Sequence, residues 1–81
     1  MSVTFLPDHA DATRVAFSVG RQVGGAVARN RLRRRLRAIA TDAAPHLPTG
    51  AYMIGAAPSA AALAHPELQR LVTQTMEEAS R

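Results

Sequence analysis

The sequence predicts an α+β fold, a small sheet with helices packed on it, in the order strand, strand, helix, strand, helix. Three observations lead there. Two short segments of β type come first. A long stretch from residue 26 then runs without a helix breaker and repeats its apolar residues at helical spacing. Beyond two prolines, a short apolar segment precedes a second stripe of helical period.

The elements follow in order. Residues 3–6 (VTFL) read as a strand, ended by Pro7 and Asp8, and residues 9–13 as a polar connection. Residues 14–19 alternate strictly, with Val15, Phe17 and Val19 on one face and Arg14, Ala16 and Ser18 on the other. This is a half-buried strand, read as antiparallel to the first. Residues 20–25 form a glycine-containing turn. The long helix runs out near Ala43 or Ala44, stopped by Pro45 and Pro48. Residues 51–56 (AYMIGA) read as a buried strand and 58–64 as a loop or a single turn. Pro66 suits the first position of a last helix, with Glu67 near its positive end. Leu68, Leu71, Val72, Thr75, Met76 and Ala79 give that helix an amphipathic stripe, which we read as core cover.

Charge is concentrated on one element. Residues 20–40 hold seven of the ten arginines (Arg21, Arg29, Arg31, Arg33, Arg34, Arg35, Arg37) and no acid. The rest of the chain has three Arg against six Asp and Glu, so +7 and −3 make the net +4. On a helical wheel with Arg29 at zero, Ala28, Leu32, Leu36 and Ile39 fall between about 260° and 340°, a narrow apolar seam. Arg29, Arg33 and Arg37 form a row on one flank, followed by Asn30 at about 100°. Arg31 and Arg35 lie on the other flank, with Arg34 outermost. Like charges at this spacing repel in an isolated helix, and guanidinium groups suit bidentate phosphate recognition. A polyanion is the natural compensation, and nucleic acid the class of partner expected.

Bulk composition narrows the rest. Eighty-one residues make a single domain over 1–81, one that buries about 60% of its unfolded surface. The absence of cysteine excludes a disulfide framework and a thiolate metal site, and fits a cytoplasmic setting. The longest apolar run, residues 60–64, is far too short to span a membrane. Gly20 and Gly25 are spaced as in a phosphate-binding P-loop, but Ala26 and Val27 stand where Lys and Ser or Thr are required, so that match fails. The glycines are read instead as allowing a tight turn and close approach to an RNA phosphate. His9, His46 and His65 are not spaced as metal ligands, and the six acids form no evident catalytic pair. A major-groove DNA reader fits less well, because Arg occupies nearly every exposed helix position and leaves few side chains for base readout.

The segment VAFSVGRQVGGAVARNRLRRRLR resembles the signature of the bacterial ribonuclease P protein component. In that family a strand is followed by Ser-Lys-Lys, a hydrophobic residue, Gly-Asn-Ala-Val and a basic helix opening with Arg-Asn-Arg. The matching positions here are Gly20, Arg21, Gln22, Val23, then Gly24 to Val27, then Arg29, Asn30 and Arg31. The resemblance implies a small mixed sheet in a ribosomal-protein-like fold, with a left-handed β-α-β crossover, against the general right-handed rule. It further implies a subunit of ribonuclease P. An RNA subunit removes the 5′ leader of precursor tRNA with magnesium, and the protein holds that RNA and the leader without a cofactor of its own. A non-catalytic RNA-binding module of ribosomal-protein type is the alternative.

Carried over by position, Asn30, Arg33 and Arg37 are expected to face the leader. Arg29, Arg31 and Arg34 are expected to face the RNA subunit, and Arg21 and Gln22 a phosphate near the turn. Phe5, Phe17 and Tyr52 are candidates for stacking against leader bases. Two positions depart from the pattern, Gln22 for the second lysine and Gly25 for the asparagine. Family members also begin with an aromatic, basic helix that forms one wall of the cleft. Here the sequence opens on a strand, so the N-terminal part of the family fold is expected to be missing. Sheet surface would then be exposed, favouring weak leader binding or self-association.

Overall fold

A computed structural model describes residues 1–7 and 12–81. The elements are β1 (Ser2–Pro7), β2 (Arg14–Val19), α1 (Ala26–Ala43), β3 (Gly50–Ala56) and α2 (His65–Ala79). Short 3-10 turns occupy Arg21–Val23, Ala44–His46 and Pro58–Ala62. The order read from the sequence is the order found. The polar connection read at residues 9–13 lies, up to residue 11, outside the described residues.

The sheet order is β1-β3-β2. β1 pairs antiparallel with β3, and β2 pairs parallel with it. The first two strands do run in opposite directions, as expected, but they are not neighbours, because β3 lies between them. The reason is hydrogen-bond and burial demand. β3 carries the best-buried strand residues, Tyr52 at 1% exposure and Ile54 at 0%, and the centre is where a strand is paired along both edges. β1 ends in Pro7, which cannot donate to a ladder and is suited to an edge.

The register places Val3, Phe5, Tyr52, Ile54, Val15 and Phe17 on one face of the sheet. Both helices cover that face. α1 presents Leu32, Leu36, Ile39, Ala40 and Ala43, and α2 presents Leu68, Val72 and Met76. The seam predicted for α1 is therefore its buried stripe, except that Ala28 is only half-buried. The opposite face bears Thr4, Met53 and Ala16, and Leu6 and Met53 on it are solvent-exposed.

Two glycines fix backbone that other residues would not accept. Gly24 has φ +148°, which turns the chain from the first 3-10 turn into α1. A Cβ on Gly50 would stand 2.5 Å from Phe5 and 2.6 Å from the Leu6 carbonyl, so β1 can approach β3 only with glycine there. Tyr52 closes the same corner. Its hydroxyl donates to the Pro48 carbonyl at 2.7 Å, and its ring lies 4.7 Å from Phe5. Apart from the Tyr52 hydroxyl, no polar or charged side chain is fully buried among the described residues.

Candidate nucleic-acid interface

Because its seam rests on the sheet, α1 must offer its arginines on the remaining surface. Arg31, Arg34 and Arg37 are exposed, as is Asn30. No acid precedes Asp42 on this helix, so the basic field there is uncompensated along α1 itself.

Two distinct sides result. On one, a cleft of about 540 Å³ opens between β2 and the C-terminal half of α1. Val15 and Phe17 from the strand and Ala40 from the helix give it apolar walls. Arg37 and Thr41 line it from α1, Thr13 from just before β2, and Leu47 and Thr49 from the connection to β3. A half-buried aromatic, a guanidinium and several hydroxyls suit a single-stranded nucleotide, which offers a ring face, a phosphate and polar edges. On the other side, Val27, Asn30, Arg31 and Arg34 line a shallow depression of about 270 Å³.

The remaining predicted residues are placed as follows. Arg33 is half-buried and lines neither the cleft nor the depression; its Nη1 donates to Asn30 Oδ1 at 3.4 Å along the helix. Arg29 is half-buried, with its Nε enclosed and without a hydrogen-bond partner. Arg21 and Gln22 are exposed in the 3-10 turn. Gln22 lines a depression at the end of the sheet with Ser18, Gly20 and Gly55. Of the three aromatic candidates only Phe17 lines the cleft. Tyr52 is 1% exposed and packs on Phe5, so its ring belongs to the core and is no stacking wall. Phe5 is half-buried against the same core.

Arg35 has another task. Its Nη2 donates to the Leu63 carbonyl at 2.7 Å, across 28 positions of sequence, and so joins α1 to the segment that leads into α2. Sequence reasoning missed the cleft threonines. Thr41 had a signal, since it continues the Arg33 and Arg37 row at i+4. Thr13 and Thr49 had none, because only the tertiary fold brings them to Arg37. Among the described residues no group of three or more His, Cys, Asp or Glu could hold a metal ion, and no helix is long and apolar enough to cross a membrane.

Comparison with known proteins decides the lineage. The Ribonuclease P family model matches residues 1–80. The chain belongs to this family. The ribonuclease P protein component of Roseiflexus castenholzii is 37% identical over 75 residues, which cover 90% of this chain and 62% of that protein. That of Symbiobacterium thermophilum is 41% identical over 68 residues, covering 83% of this chain and 59% of its own length. The chain thus spans about three fifths of these relatives. In fold it is similar to the Staphylococcus aureus RNase P protein, at a TM-score of 0.83 and 22% identity, covering 95% of this chain and 72% of the other. A mutant of that protein with defective mRNA degradation activity gives a TM-score of 0.84. The arginine helix and the cleft beside it are therefore features of a ribonuclease P family domain with an α+β fold and a three-stranded mixed sheet.

Proposed function

We propose that this chain acts as the protein subunit of ribonuclease P, binding the catalytic RNA and the 5′ leader of precursor tRNA, in the cytoplasm. The observation that carries this reading is a family match across residues 1–80, on a chain whose basic helix borders a cleft with both an aromatic and an arginine. In this reading the outer side of α1, with Arg31 and Arg34, holds the RNA subunit. The cleft side, with Arg37 and Phe17, holds the unpaired leader. Asn30 lies with the outer side and is hydrogen-bonded to Arg33. Arg21 and Gln22 meet a phosphate near the turn.

The residues described above bind and orient. We assign hydrolysis of the phosphodiester to the RNA subunit, with magnesium acting there. Concentrated positive charge explains how a small protein would assist. Two polyanions must be brought together, and neutralising phosphates at their junction lowers the demand for free cations. Adding the chain to ribonuclease P RNA at low magnesium should therefore raise the rate of leader removal from precursor tRNA. A rate unchanged by the chain, despite tight RNA binding, would leave only a ribosomal-type RNA-binding module.

A further inference from the structure

Val27 is 77% exposed, more than Leu6, Met53 or Leu71, the other large apolar side chains at the surface. It stands in the first turn of α1, on the side away from the buried Leu32, Leu36 and Ile39. Three and four residues on are Asn30 and Arg31, and Arg34 follows a further turn away. These four side chains line the 270 Å³ depression. The fold gains little from valine there, since it packs against no core and is a poorer helix former than alanine. A branched apolar group surrounded by one carboxamide and two guanidinium groups is instead suited to a ligand with a flat apolar face and an anionic rim.

We infer that this depression seats an unstacked nucleobase of the structured RNA partner. The Val27 methyl groups lie against the face of the base, the Asn30 carboxamide meets its edge, and Arg31 and Arg34 meet the adjoining phosphates. Asn suits the edge because its amide nitrogen can donate, and its oxygen, which accepts from Arg33 at 3.4 Å, keeps a second lone pair. This rests on the proposed function above and adds a contact of a different kind. The part made by Val27 against the base releases no counterions, so that part is independent of salt, whereas the Arg31 and Arg34 contacts to phosphate are not.

The test uses the full chain and ribonuclease P RNA, with Kd measured across a salt series and folding followed by thermal melting. Val27→Ala removes two methyl groups and should weaken binding about tenfold. The slope of log Kd against log salt should stay unchanged, and the melting temperature should not fall, because alanine favours the helix. Val27→Leu keeps apolar bulk and should bind within about threefold of the unaltered chain. Arg34→Ala is the contrasting control, expected to reduce the slope by about 0.7 to 0.9. Val27→Ala binding as well as the unaltered chain overturns the inference, as does Val27→Leu falling as far as Val27→Ala. Failure of the unaltered chain to bind the RNA removes the proposed function itself, a separate result.

Discussion

Arg33 and Arg37 are one turn apart, yet their surroundings differ. Arg37 is exposed and lines the cleft beside Phe17, whereas Arg33 is half-buried and engaged with Asn30. The two substitutions should therefore not behave alike. Arg37→Ala is expected to weaken binding of leader-bearing precursor tRNA by about three- to tenfold, beyond any effect on tRNA lacking the leader, and to reduce the salt slope by about one phosphate. Affinity for the RNA subunit alone should change much less. Equal losses for both RNAs would remove Arg37 from the leader side. The family resemblance made both residues candidates by position, and the helical wheel set them in one row. Neither could rank them, because burial depends on what packs beside each one.

At the scale of elements, α1 is a rod with three uses. Its seam joins the core, its exposed arginines face outward, and Arg35 ties it to the entry of α2. That last bond is a charge-assisted contact to a carbonyl, partly shielded from water. Arg35→Ala should lower stability by about 1 to 2 kcal/mol, read by urea unfolding, while leaving the salt slope of RNA binding unchanged. A reduced slope with intact stability would place Arg35 among the RNA contacts instead. From charge alone the seven arginines are indistinguishable, so this role was hidden in the sequence. The extents of the elements were legible. Strict alternation marked β2, and Pro45 with Pro48 marked the end of α1. What alternation cannot encode is a neighbour. β1 and β2 appeared as adjacent strands because the residues that separate them in the sheet lie more than thirty positions downstream.

Across the whole molecule, one compact layer of apolar contacts carries the fold. The core residues of both helices and β3 meet at 0% to 7% exposure, and a chain of this size has a total stability of only about 4 to 12 kcal/mol. Leu36→Ala, at the middle of α1, should cost about 2 to 5 kcal/mol and bring unfolding close to ambient temperature. Saturating RNA should recover part of that loss, about 2.7 kcal/mol at a hundredfold excess over Kd. A melting temperature insensitive to RNA would mean that binding does not select the folded form. The balance of +7 on one segment against −3 elsewhere also gives the molecule a preferred approach, with the arginine rod leading.

The place of β3 has a consequence for synthesis on the ribosome. Both outer strands and the entire arginine helix are made before it, yet neither strand has a partner until residues 50–56 slide between them. The sheet thus cannot assemble from the N-terminus inward. It closes in one late step, and a nascent chain cut short of that strand would leave a charged helix beside two unzipped ribbons.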